Sequence, residues 1–205
     1  MLGNIFLGDL VLGFILFAFI LSVVFITKKF RNPWVNRKII HLSSAPAALA
    51  YMFVFKEPYV FFGLSILFTI MLIIPHIRKR EFDWFQLRRN YGEVFYTLSF
   101  SVLAITMWNV SRILAGVSML FMAIGDSATG LVRSRFLKER AKHISGSIAM
   151  LIVCSVIGYY FMQIRGILLA VLATIAEYQP WVDDNLSIPL VTALAGLLLG
   201  FPTLT

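Results

Sequence analysis

Three polar clusters in this chain carry residue types suited to handling phosphate. Arg37-Lys38-Ile39-Ile40-His41 sets two cations close to an imidazole, with Asn36 in front as a plausible helix cap. Arg37 and His41 then share a helix face at i and i+4. Gly125-Asp126-Ser127-Ala128-Thr129-Gly130 places one acid among residues with little side chain. Lys142-His143-Ile144-Ser145-Gly146-Ser147 stands just before an apolar run. Gly146 and Ser147 can open the next helix there, and a helix N-terminus beside a lysine attracts anions. A fourth cluster, running from Glu177 through Asp183 and Asp184 to Asn185, is acidic. It could hold a hard cation such as Mg²⁺, form a salt-bridge collar, or cap the last helix through Asp184 or Asn185.

These clusters separate apolar segments. With 60% hydrophobic and 14% charged residues in 205, and a mean hydropathy of +0.86, the chain suits a bilayer rather than water. A spanning helix needs about 20 mostly apolar residues. On that basis segments run from Leu7 to Thr27, Ile39 to Phe55, Pro58 to Pro75, Val94 to Trp108, Ile113 to Val132, Ile148 to Phe161, Gly166 to Ala176 and Ile188 to Leu204. The seventh is short for a crossing. Runs rich in Leu, Ile, Phe and Ala fit helices rather than the alternating strands of a barrel. The expectation is an all-α polytopic bundle of about seven to eight spans, forming one domain over residues 1–205.

The charges orient it. Five Lys or Arg fall in each of three alternate connections: Lys28, Lys29, Arg31, Arg37 and Lys38 in the first, Arg78 to Arg89 in the third, and Arg133 to Lys142, including Lys138 and Arg140, in the fifth. The other side keeps only Lys56, Arg112 and Arg165. The positive-inside rule puts the basic connections in the cytoplasm and the N-terminus outside, with the first segment an uncleaved anchor. The net charge of +8 is then a topology signal and an anion attractor, not a sign of nucleic-acid binding. Cys154, the single cysteine, excludes an internal disulfide and packs as a small core residue.

Each cluster has a plain reading beside the chemical one. Arg37, Lys38 and His41 serve either as interface anchors or as a phosphate clamp. The third connection, with Phe82, Trp84 and Phe85 among its cations, reads first as an interfacial anchoring helix. Gly125 and Gly130 could serve helix packing alone. Asp126 points to function, because an acid inside a membrane helix costs about 2.5–3.5 kcal/mol on insertion scales.

Taken in order, Arg37 to His41, Gly125 to Ala128, Lys142 to Ser147 and Asp184-Asn185-Leu186-Ser187-Ile188-Pro189-Leu190 resemble the blocks of the polyprenol kinase superfamily, which includes dolichol, phytol and farnesol kinases and CTP-dependent diacylglycerol kinases. The resemblance runs from Arg37 to Leu190. The chain departs from it at Arg133, where many relatives have Gly, and at Ser145, where many have Glu. It implies an integral membrane enzyme transferring a phosphoryl group from a nucleoside triphosphate, typically CTP, to a lipid alcohol at the cytoplasmic face. Asp126, with Asp184 or Glu177, would then hold Mg²⁺ on the nucleotide. Arg37, Lys38, Lys142, Gly125, Ser145, Gly146, Ser147 and Asn185 would surround the phosphates. His41 or a carboxylate would take the proton of the hydroxyl. The rival classes are a CDP-lipid synthase, which would release pyrophosphate, and a small transporter, which would place its ionisable groups near the midplane.

Overall fold

The structure, a computed structural model, describes residues 2–137 and 141–200. Lys138, Arg140 and the end of the last expected segment at Leu204 lie outside the described residues. Among the described residues all regular structure is helical: α1 (Leu2–Thr27), α2 (Pro33–Leu42), α3 (Ala45–Phe53), α4 (Pro58–Ile77), α5 (Gly92–Thr106), α6 (Arg112–Leu120), a π turn (Phe121–Asp126), α7 (Ser127–Phe136), α8 (Ile144–Tyr178) and α9 (Asp184–Leu198).

Among the described residues four stretches are long and apolar enough to cross a membrane: Phe6–Thr27, Pro58–Ile77, Arg112–Phe136 and Ile144–Tyr178. Gly92–Thr106 and Asp184–Leu198 are apolar but shorter. Large apolar side chains face outward, among them Tyr160, Val156 and Ile15. That is the surface of a protein solvated by lipid. The central rod is α6 with its π turn, where Leu114, Met119, Phe121 and Met122 are fully buried.

Several expected elements take another form. The segment Ile39 to Phe55 is two helices, α2 and α3, parted at Ser43 and Ser44. Pro46 cannot donate to the carbonyl of Leu42, four residues back, and at the same break the two serine hydroxyls donate to the carbonyls of Ile40 and His41. Asn32 rather than Asn36 caps α2, accepting from the amides of Trp34 at 3.0 Å and Val35 at 3.3 Å, with Pro33 as the first helical residue. Residues 78–91 form a folded loop rather than an interfacial helix. Phe85 and Gln86 are buried in it, and the Trp84 indole donates to the Val24 carbonyl at 3.1 Å.

α8 is not a straight rod. At Gln163, with φ 54° and ψ −143°, the chain folds back on itself. Gly158 and Gly166 then meet backbone to backbone, where a Cβ on either would overlap the other limb. The reversal falls between the expected segments Ile148 to Phe161 and Gly166 to Ala176. It returns Glu177 to the start of the same helix, within reach of Lys142.

As a result the four polar connections meet at one end of the bundle. The Asn36 amide donates to the carbonyls of Phe30 at 3.1 Å and Trp84 at 2.7 Å. Arg37 donates to Asn90 at 2.8 Å, and a Cβ on Gly92 would overlap the Arg37 guanidinium and lie 2.8 Å from the Asn185 amide. At the opposite end Asp9 of α1 accepts from the amides of Lys56 and Glu57 at the start of α4, at 2.9–3.1 Å.

Candidate active site

Asp126 closes the π turn, whose extra residue per turn widens the helix just before α7. Its carboxylate is buried and lies 2.5 Å from the Lys38 ammonium of α2. The lysine stem reaches across α7 because Gly130 has no side chain; a Cβ there would lie 2.6 Å from Lys38 Cγ. The Ser127 hydroxyl donates to the Lys38 carbonyl at 2.9 Å and so ties the two helices together. His41, one turn beyond Arg37, places Nδ1 3.5 Å from the same Asp126 oxygen, and its ring stacks on Tyr96 with centroids 3.9 Å apart. Gly125, the residue before Asp126, is absent from the walls of either cavity described below. A Cβ on it would overlap the Cys154 sulfur, so its missing side chain serves helix packing.

A second buried pair stands beside the first. Arg133 of α7 grips Glu177 with both prongs, at 2.7 and 3.1 Å, and its Nε donates to the His143 carbonyl at 3.2 Å. Lys142 bonds to the Glu177 carbonyl and lies 3.3 Å from its carboxylate. Glu177, expected to be a metal ligand, is instead enclosed by two cations. The turn before α8 supports this arm. Ser147 accepts from Arg133 at 3.4 Å, the Gly146 amide donates to the His143 carbonyl at 3.1 Å, and Ser145 pairs with the His143 ring at 2.8 Å. These three residues brace Arg133 from behind.

At the start of α9 the helix cap is Asp183, not Asp184 or Asn185; it accepts from the Asn185 amide at 3.0 Å. The Asn185 side chain clamps both acids, donating to Asp183 at 2.7 Å and Asp184 at 2.9 Å. Burial pushes the Asp183 carboxyl above the usual carboxylate range, and the neighbouring Asp184 adds to the shift. Asn185 is itself buried: its main-chain carbonyl accepts from Ser99 at 2.7 Å, its amide nitrogen holds the two acids, and its Oδ1 has no hydrogen-bond partner.

Two cavities flank this cluster. One is a charged cleft of about 340 Å³ whose wall includes Lys38, Asp126, Arg133, Lys142 and Asp184, together with Trp34, Asn90 and Thr129. The other is an apolar channel of about 100 Å³ between α1, α4 and α5, with Arg37, His41, Ser44, Glu93 and Tyr96 at its polar end. His41 lies in the wall of the channel and touches Asp126, which lies in the wall of the cleft. Four buried polar atoms at this junction lack a hydrogen-bond partner: Arg37 Nη2, both His41 ring nitrogens and Glu93 Oε2. Arg37 and Glu93 are 3.6 Å apart, near enough for charge attraction but too far for a hydrogen bond. Buried polar groups are rarely left unpaired, so this junction has room in its bonding for a polar ligand or water.

Sequence reasoning missed Glu93, His76, Asn90 and Tyr96. Glu93 bonds to His76 at 2.6 Å and to Gln86 at 3.1 Å while facing Arg37. An acid in the first turn of a helix is ordinary, so Glu93 carried no signal by itself.

The chain is similar to a phytol kinase. That protein, from Synechocystis sp. (strain ATCC 27184 / PCC 6803 / Kazusa), is 25% identical over 185 aligned residues, covering 78% of this chain and 77% of the relative. No protein-family model matches the sequence. No solved structure matches it. The likeness supports a phytol-kinase-like membrane protein.

Proposed function

We propose that the chain is a multi-pass membrane kinase that moves the terminal phosphoryl group of a nucleoside triphosphate, CTP by resemblance, to a lipid alcohol. The observation that carries this reading is the Lys38–Asp126–His41 set standing between a charged cleft and an apolar channel. A phosphorylated headgroup and a hydrocarbon tail need such opposite solvents side by side. The phytol kinase likeness favours a prenyl alcohol as acceptor. By the positive-inside rule, the basic connections gathered at this end favour a cytoplasmic cleft, with the N-terminus outside.

Phosphoryl transfer asks the protein mainly for in-line positioning and charge stabilisation. Lys142 and Arg133 line the cleft and would hold phosphate oxygens, with Glu177 keeping both side chains in place. Lys38 holds Asp126, and Asp126 faces Nδ1 of His41. A proton on Nδ1 leaves Nε2 as the acceptor for the hydroxyl proton at the channel mouth. The alcohol oxygen then bonds to the terminal phosphorus as the bond to the bridging oxygen breaks, and the nucleoside diphosphate leaves. Arg37, also at the mouth, would stabilise charge on the transferred group.

Mg²⁺ fits in one form. Among the described residues no three His, Cys, Asp or Glu gather into a cage. Asp126 and Asp184 both line the cleft, and Mg²⁺ commonly takes one or two carboxylates together with substrate phosphates. Bound there, it would neutralise charge on the nucleotide phosphates. Glu177 is not part of that set.

The test is phosphoryl transfer by purified protein in lipid vesicles, with labelled CTP, ATP or UTP, Mg²⁺ and prenyl alcohols. The expected products are a lipid monophosphate and the nucleoside diphosphate, with at least a 100-fold loss in Asp126→Asn. Full activity in that variant would refute the mechanism. Release of pyrophosphate would instead identify a cytidylyltransferase.

A further inference from the structure

The channel leads away from its polar end between α1 and α4. Along α1 it runs from Val24 to Gly13, and along α4 from Leu72 to Phe61. Either path covers eleven residues, or ~16 Å at helical rise. At the far end Phe61 meets Phe55 edge to face at 5.7 Å and stacks on Phe100 at 6.4 Å, and both Phe55 and Phe61 are buried. Gly13 seals the seam beside them, because any Cβ there would lie 2.7 Å from Leu64. α1 is fastened over this groove at both ends, by Asp9 to the start of α4 and by the Trp84 indole to Val24.

We propose that this channel holds the acceptor's tail and that Phe55 and Phe61 form a floor limiting it to a single chain of about three isoprenoid units, four at most. The inference rests on the lipid-alcohol reading above and adds the length limit. Three bonds of extended chain cover roughly 3.5 Å, so ~16 Å accommodates about 13 bonds, whereas three isoprenoid units have about 12. About 100 Å³ of space for atom centres, spread over that length, leaves those centres a column ~6 Å² in section, room for one hydrocarbon chain and not two. A diacyl lipid does not fit, and a long polyprenol would have to leave the bundle. The occupant's hydroxyl would meet His41 Nε2, which is buried without a partner at the mouth.

Ser65 lies one turn above Phe61 on the same wall of the channel. Ser65→Leu should raise the floor by one turn, about one isoprenoid unit, and Phe61→Ala should lower it by about as much. Purified protein in phosphatidylcholine vesicles is assayed with prenyl alcohols of two to eleven units and with diacylglycerol. Wild type should peak at three or four units and fall at least tenfold by six. The optimum should move down in Ser65→Leu and up in Phe61→Ala, with the nucleotide KM unchanged. Equal use of all lengths, or an optimum unmoved by both variants, would overturn the floor.

A second measurement needs no turnover and no variant. A three-unit alcohol tipped with a diazirine is photolysed in the vesicles without nucleotide. Adducts at Phe55, Phe61 or their channel neighbours support the floor even if no phosphoryl transfer is found, in which case the kinase reading alone fails. Adducts spread over the outer faces of α1 and α8 would overturn the channel whatever the activity.

Discussion

The Lys38–Asp126 contact permits a quantitative test. Both side chains are almost wholly buried and 2.5 Å apart, with His41 as the other neighbour of the same oxygen. At that separation an effective dielectric of about 20 gives an attraction of roughly 6–7 kcal/mol, most of it offset by the desolvation of both ions. Removing one partner leaves the other charge buried and unpaired, which typically costs about 3–5 kcal/mol. Lys38→Met and Asp126→Asn should therefore each destabilise strongly, while the double variant should recover much of the loss. For a chain of this size about 2–4 °C of Tm accompanies each kcal/mol, so each single change should lower Tm by roughly 6–20 °C. The assay is thermal and denaturant unfolding in one detergent, analysed as a double-mutant cycle with an expected coupling of about 2–4 kcal/mol. Additive single effects, or a shift below 2 °C in either single variant, would show that the two groups do not form the pair from which the site is argued.

Two further outcomes follow from local structure. Asp183 has its folded pKa raised, so the stability it contributes is complete below the unfolded value near 4 and is lost as pH rises through the folded value. Asp183→Asn can still accept the Asn185 amide, and its melting temperature should fall less than that of wild type as pH rises from about 4 into that window; identical pH profiles would refute this account. Gln163 holds a conformation at φ 54° that L side chains rarely adopt, a strain of about 1–3 kcal/mol, so Gln163→Gly should raise Tm by a few degrees. A lowered Tm with the hairpin intact would mean that the Gln163 side chain stabilises the turn more than its backbone strains it.

Much of the fold is visible in the residues, because a membrane helix must satisfy its own backbone and needs an apolar run of fixed length. α1, α4 and α6 with its π turn stand where hydropathy alone puts them, and the return of α8 falls at the polar interruption Gln163-Ile164-Arg165. Asp126 is also conspicuous in the sequence, an acid inside a long apolar run. The break at Ser43 and Ser44 was less visible, since α3 is as apolar as a spanning helix and only Pro46 marks the interruption. The helix caps were misplaced by a few residues, at Asn36 for Asn32 and at Asp184 or Asn185 for Asp183, because Asn and Asp cluster there and any of them could cap.

The sequence by itself determined the solvent of this protein and the connections in which its charges collect, since both depend on composition and on order along the chain. Only the tertiary structure decided which charges neutralise one another and which remain for a ligand. Lys38 pairs with a residue 88 positions away, Arg133 with one 44 away, and Arg37 faces Glu93 across two helices. Such pairings depend on how glycine-lined helix faces come into register, at Gly130 and Gly92 above all, and interactions between distant segments leave no periodicity in the chain. The same packing closes the channel floor, because Phe55 and Phe61 are ordinary apolar residues until α1 is fastened over them.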